Sequence, residues 1–362
     1  MSAIVAASLD AESDTVSPYQ PIDGAMLLFR FAAIIATGHP TFGNKILAKD
    51  YSMNTQAQIE DPQQDVKSRI VDFMQGFTIE TTPGSAKKVE DFRDYLREGT
   101  WVYVTSLPGA DFADTADTCK KLADQGMQPV PHFTARGIKD AKQLEENLAQ
   151  VCGEAGVKRV LALAGADKTA VGDFVDTMSM LETSLFDKYG IQSIGVAGHP
   201  EGSPDIEYAQ QRVHGLRKNA FSQTTDAKLY LVTQFVFEAQ PIIDWVERSY
   251  MGGNRLPVIV GIPGLATLKS LIGHAKACGI GASMAVLMKQ AKNISKLLTL
   301  QEPDKLVRDL ANYNAAHPES LIEGVHMYPL GGLARSAIWS YAAAEGNIEL
   351  NAEGFKAKVE IK

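Results

Sequence analysis

Cysteine is scarce: Cys119, Cys152 and Cys278 stand singly among 362 residues, with no CxxC spacing. That argues against a disulfide framework and a cysteine-built zinc centre, and for a reducing compartment with all three thiols in the core. Positive charge is in deficit, with 35 Lys and Arg against 43 Asp and Glu, a formal net charge of −8, and no run of five basic residues. No general attraction to nucleic acid or acidic lipid follows from that balance, and only a local basic patch is left to meet phosphates. Long apolar runs are missing too. The most apolar stretch, residues 25–36, is too short to span a bilayer and carries Arg30 in its middle, and the acidic residues before it do not suit a secretory leader. It reads as a buried or interface helix of a cytoplasmic protein with no membrane partner, and the need to cover residues 26–36 predicts a homo-oligomer. No GxGxxG opens a βα unit, and HxxxH, HExxH and GxSxG are absent. A Rossmann phosphate loop, a metal site of familiar spacing and a serine nucleophile elbow are therefore not expected.

What is present is a core. At 45% hydrophobic and 22% charged residues, a chain of this length accommodates one barrel of about 250 residues plus extensions. From residue 77 onward, short β-branched runs alternate with amphipathic stretches, the pattern of parallel strands joined by right-handed crossovers. Strands are predicted at 77–81, 101–107, 128–135, 159–165, 193–200, 229–235, 257–264 and 324–330. Helices are predicted at 87–96, 111–125, 140–155, 171–189, 205–221, 240–251, within 265–314, and at 333–343. Gly126, Gly156, Gly190 and Gly279 stand where helices stop. Eight units, with strands such as VLALAG and PVIVGIPG apolar on both faces, predict an α/β fold of the (β/α)8 TIM barrel type. Residues 1–75 form a helical and irregular N-terminal extension in this reading, 76–345 the catalytic barrel, and 346–362 a C-terminal tail.

Active sites of such barrels lie at the C-terminal strand ends, so polar residues there are the candidates. Glu80 ends strand one in FTIETTPG, a partly desolvated setting that suits a general acid; the alternative is a strand-end charge paired to a nearby Lys or Arg. His132 ends strand three in PVPHFTA, able to donate to a ring carbonyl or phosphate, or else to serve as a satisfied core histidine. Strand four ends in ALAGADK, whose small residues admit a flat ligand or simply make a tight turn, with Asp167 the nearest acid. Strand five ends in VAGHPEGSPD, where His199 and Glu201 precede a helix expected to be capped by Ser203 with Pro204 in its first turn. Gln234 on strand six offers an amide to a heterocycle edge or to barrel backbone, and His326 and Tyr328 precede a glycine pair on strand eight. An apolar pocket with scattered hydrogen-bonding groups fits chemistry carried by a cofactor.

Taken together, FTIETTPG, YVTSLPGA, PVPHFTARGIKDAKQLEENL, GVKRVLALAGAD, IGVAGHPEGSPD, YLVTQFVFEAQPIIDWV, VIVGIPG and GVHMYPLGGLARS resemble, in order, the methylenetetrahydrofolate reductase family over residues 76–345. The resemblance implies a barrel in which NADH or NADPH reduces FAD, and the flavin gives a hydride to 5,10-methylenetetrahydrofolate, forming 5-methyltetrahydrofolate. It makes Glu80 the acid that protonates the folate amine and opens its five-membered ring, Thr105, His132 and Gly165 flavin contacts, and Gln234 the reader of the folate ring. Arg217 and Lys218 fall near the family's basic pair on flavin phosphate or the adenine side. Departures cluster around the flavin. The family's Arg-Gly-Asp reads Ala164-Gly165-Ala166, with Asp167 one residue later as a substitute. Its Tyr-Pro-Glu-x-His reads His199-Pro200-Glu201-Gly202-Ser203, and its strand-eight arginine reads Gly332, with Arg335 three residues on to hold the folate tail. Three alternatives stand beside this reading: a flavin-independent NAD(P)H-dependent folate reductase, a tetrahydrofolate-dependent methyltransferase, and a non-catalytic barrel that binds folate.

Overall fold

The computed structural model describes residues 62–203, 206–277, 288 and 298–360. Eight parallel strands close into a barrel: β1 (Thr78–Thr81), β2 (Trp101–Val104), β3 (Gln128–Thr134), β4 (Arg159–Leu163), β5 (Ser193–Gly198), β6 (Lys228–Phe235), β7 (Val258–Pro263) and β10 (Ile322–Tyr328), the last pairing back to β1. The chain is thus a (β/α)8 barrel, as its alternating pattern predicts. A second, antiparallel pair, β8 (Ala266–Thr267) with β9 (Leu300–Gln301), lies between β7 and β10 in sequence.

Strand alternation sorts side chains into two cores. Val102, Val104, Val160, Ala162, Ile194, Val196, Val258 and Val260 point outward and join the large cluster under the helices, whereas Tyr103, Val130, Leu161, Tyr230 and Val232 fill the barrel interior. A period of two therefore makes each strand apolar on both faces, with polar groups left for the strand ends.

The outer layer contains α1 (Pro62–Met74), α2 (Pro83–Ala86), α3 (Phe112–Asp124), α4 (Ala141–Ala155), α5 (Thr177–Leu181), α6 (Leu185–Lys188), α7 (Tyr208–Phe221), α8 (Ala239–Met251), α9 (Leu268–Ala277), α10 (Asp304–Ala316) and α11 (Leu333–Ala344). Local chemistry sets their ends. Asp111 caps α3 by accepting from the Ala113 amide at 3.0 Å, Asp140 caps α4 from the Gln143 amide at 2.9 Å, and Gly156 ends α4 in the left-handed region at φ 61°.

Three helix expectations are corrected. The helix expected at 87–96 is instead α2 followed by one 3-10 turn at Phe92–Asp94, because the side chain of Thr82 accepts from the Ser85 amide and starts the helix early, at Pro83. The single helix expected at 171–189 is α5 and α6, since a capping box between Asp176 and Ser179 starts α5 late and Ser184, at φ 60°, interrupts it. The helix after β5 begins at Tyr208 with Glu207 as its cap, so Ser203 does not cap it; Ser203 makes an isolated bridge with Ile206. Pro204, Cys278, Gly279 and residues 26–36 lie outside the described residues. Cys119 is buried and Cys152 half-buried.

Residues 348–357 form a hairpin, β11 (Ile348–Leu350) with β12 (Phe355–Ala357). Phe355 stacks on Trp339 of α11 at 5.3 Å, and its amide donates to Asp304 Oδ2 at 3.1 Å. The stretch following α11 is thereby part of the packed outer layer, as is α1, which packs on α10 and α11. No helix among the described residues is long and apolar enough to cross a membrane.

Candidate active site

The C-terminal strand ends open into a cavity of about 1650 Å³. Glu80, near the end of β1, faces it with a side chain 16% exposed, and its Oε2 lies 3.4 Å from Nε2 of His326 on β10. The other ring nitrogen of His326 lies 2.8 Å from Thr78 Oγ1. The three side chains thus form a line from the cavity into the barrel wall, and the buried imidazole is held on both its nitrogens. Its faces are held as well: Tyr103 sits 4.5 Å away centroid to centroid, and Tyr328 packs edge-on at 4.7 Å. Tyr103 is fixed in turn by a 2.7 Å hydroxyl contact with Tyr230, and Tyr328 donates to the Thr233 carbonyl at 2.9 Å.

His132 is buried at the end of β3 and its Nε2 has no hydrogen-bond partner. Burial pushes its pKa down to about 4, the Glu80 carboxylate partly opposing and His326 assisting, so the ring is neutral at pH 7. Thr105, one residue past β2, also has a buried hydroxyl without a partner. Unsatisfied buried polar atoms are costly, and both of these residues line the cavity, where a polar ligand would satisfy them.

Gln234 lines the cavity at a break in the β6–β7 ladder: register shifts between Val232 and Phe235, and Thr233 Oγ1 substitutes by accepting from the Gly261 amide at 2.9 Å. Such a bulge re-aims a side chain at the barrel rim. Next to β4, Gly165 adopts φ 95°, a conformation that disfavours any other residue.

The wall beyond β5 is basic. Lys218 of α7 is 9% exposed and donates to the Ala197 carbonyl at 2.8 Å; burial lowers its ammonium to about 8. His199 is held down to about 4 by burial, with the charges of Lys218 and His214 adding to the effect.

The cavity therefore gathers Glu80, Thr105, His132, Gly165, His199, Lys218 and Gln234 from the sequence candidates. Four others fall outside its lining. Arg217 pairs with Asp176 at 3.3 Å and Glu182 at 3.1 Å. Asp167 turns its carbonyl to Arg136 at 3.0 Å, Glu201 lies in the loop after β5, and Arg335 is exposed on α11. Sequence reasoning missed Thr78, Tyr103, Arg136 and Asp176. Arg136 carries the one readable signal, a cation two residues beyond the end of β3.

Residues 82–330 match the methylenetetrahydrofolate reductase family. A curated relative, methylenetetrahydrofolate reductase 1 of Schizosaccharomyces pombe, is 29% identical over 138 residues, which make up 35% of this chain and 21% of that protein. Among solved structures, a Clostridium thermocellum protein described as binding two copies of 5-methyl-5,6,7,8-tetrahydrofolic acid aligns with a TM-score of 0.48 at 13% identity, over 77% of this chain and 97% of that one. Dihydropteroate synthase from Thermus thermophilus aligns with a TM-score of 0.35 at 11% identity, over 70% of this chain and 87% of that one. With the family matched over more than half of its length, from the end of β1 through β10, the chain belongs to the methylenetetrahydrofolate reductase family.

Proposed function

We propose that the protein interconverts 5,10-methylenetetrahydrofolate and 5-methyltetrahydrofolate by hydride transfer, with FAD between the folate and NADH or NADPH, as a cytoplasmic homo-oligomer. The observation that carries this reading is Glu80 at the cavity wall, backed by His326 at 3.4 Å and Thr78 behind it. A carboxyl so placed delivers a proton to the folate amine whose departure opens the five-membered ring, and His326 Nε2 is the group beside Oε2 through which the proton is exchanged. Gln234 presents both a donor and an acceptor to the pterin edge.

The flavin fits the donor set. Partnerless polar atoms on Thr105 and His132 are what the oxygen and nitrogen edge of an isoalloxazine satisfies, and Gly165, His199 and Lys218 would hold the remainder of the cofactor. When bound, FAD supplies two-electron transfer between nicotinamide and folate. His132, neutral at pH 7, then offers the ring a hydrogen bond without adding charge, and the apolar strands beneath exclude water.

An absorbance spectrum of purified protein, repeated after NADH and then methylenetetrahydrofolate, tests the proposal. Flavin bands that bleach with the first and return with the second support it. A colourless protein that still consumes NADH with folate replaces it by direct hydride transfer, the reading favoured by the uncharged Ala164-Gly165-Ala166 turn. No response to either addition refutes the reductase reading in favour of the methyltransferase or the folate-binding barrel.

A further inference from the structure

Two cations on the cavity wall make no ion pair among the described residues. Arg136 makes no ion pair among the described residues: Nε donates to the Val175 carbonyl at 3.1 Å and Nη1 to the Asp167 carbonyl at 3.0 Å. These carbonyls brace the guanidinium without cancelling its charge. Asp176 lines the same wall, but its carboxylate caps α5 by accepting from the Ser179 amide at 2.8 Å and pairs with Arg217. Lys218 is the second such cation, buried on α7 with its ammonium on the Ala197 carbonyl; it makes no ion pair among the described residues, and the Asp176 carboxylate whose charge reaches it is the one already paired with Arg217. Lys218 is buried and Arg136 half-buried, and cations drawn out of water are normally paired; in a chain of net charge −8 acids are not in short supply.

Arg136 follows β3, and Lys218 stands on the helix after β5. The turn that ends β4 lies between those strands. It has no charged side chain of its own across Ala164, Gly165 and Ala166, and the amides of Gly165 and Ala166 donate to no backbone carbonyl among the described residues. The turn lies close against the first cation, since a Cβ on Gly165 would meet Thr134 Cβ at 3.2 Å and Arg136 Cβ at 3.9 Å. A fixed guanidinium fork, a second cation and small-residue backbone between them make a receptor for a ligand with two adjacent anionic groups.

We propose that Arg136 is the phosphate-binding residue of this cavity and, with Lys218 across the β4 turn, takes the diphosphate of a dinucleotide. That the dinucleotide is FAD rests on the function proposed above; the anion site itself does not.

The test titrates FAD, FMN and riboflavin, by flavin fluorescence, and ADP, by calorimetry, into the wild-type full chain, Arg136→Gln and Arg136→Lys. Arg136→Gln is expected to weaken FAD and ADP about tenfold or more, leave riboflavin unchanged, and flatten the salt dependence of FAD binding. Arg136→Lys, which keeps the charge but not the fork, is expected to fall between, and supplies the comparison if the Gln variant does not fold. Unchanged FAD and ADP affinities overturn the proposal, as does an equal loss of riboflavin. Wild-type protein that binds none of the four overturns it too. If no flavin binds but ADP weakens in Arg136→Gln, the FAD reading falls and the anion site stands.

Discussion

Glu80 and His326 meet across the β1–β10 seam, and the consequence of their contact is a testable division of labour. Glu80→Gln keeps size and hydrogen-bonding shape but cannot move a proton, so folate-dependent turnover is expected to fall by about 10²–10⁴-fold with flavin and nucleotide affinity unaltered. Unchanged turnover would remove Glu80 from the mechanism. His326 acts through Glu80 as a positioning residue: His326→Gln is expected to lower kcat less than Glu80→Gln does, and to shift the pH profile of kcat, which a purely packing role would leave in place. Glu80, His132 and Gln234 were legible as candidates because a polar residue at the end of an apolar strand stands out. Thr78 was not, since a β-branched residue inside a strand looks like an ordinary strand former. For Arg136 the sequence shows only a cation two residues beyond β3; that it makes no ion pair was not legible, because pairing is decided by neighbours brought together only in the fold.

At the scale of elements, strands were more legible than helices. Each barrel strand repeats an alternation that the closed sheet enforces over its whole length, whereas the segments after β1 and β4 are divided by single contacts, the Thr82 cap and the left-handed Ser184. Close approach between strands leaves its own mark at Gly261. A Cβ there would lie 2.5 Å from the Thr233 carbonyl and 2.6 Å from Tyr328 Cε2. Gly261→Ala must therefore push apart β6 and β10 at the Gln234 bulge, and a loss of about 1–3 kcal/mol in stability is expected, measured by denaturant unfolding. A neutral result would mean that the rim is looser than its packing implies. The final hairpin makes a comparable prediction. It covers Trp339 through Phe355 and gives its Asn351 and Ala352 carbonyls to Arg308 Nη1 at 2.9 and 3.2 Å. Removing residues 347–362 is expected to lower the melting temperature by several degrees or to leave the protein insoluble, because it uncovers a buried indole; a truncated chain that melts like the full chain would show the hairpin to be dispensable.

For the whole molecule, the site leaves a signature in stability against pH. His132 and His199 are both held near 4 in the fold, principally by burial, against about 6.5 in an unfolded chain. Their folded pKa values are depressed, so the unfolded state binds protons first. The stability they allow is complete above pH 6.5 and is lost as pH falls toward 4, by roughly 3 kcal/mol for each histidine. Glu302 and Asp304, whose carboxyls burial raises, work in the opposite sense, since they accept protons more readily folded than unfolded. Lys218, lowered to about 8, acts only on the alkaline side, where stability rises as pH passes from 8 toward 10.5 and the unfolded state alone stays charged. Between pH 6.5 and 4.5 the two histidines drive a decline that the raised carboxyls of Glu302 and Asp304 offset in part, and urea unfolding is expected to show a net loss of stability with acidification over that range. Replacing His132 by Gln, which cannot take up a proton, should flatten about half of that decline while leaving the alkaline limb intact. A flat wild-type profile over this range, or a variant with the full slope, would mean that water reaches these imidazoles, and the dry strand-end site inferred for hydride transfer would have to be redrawn as a wet one.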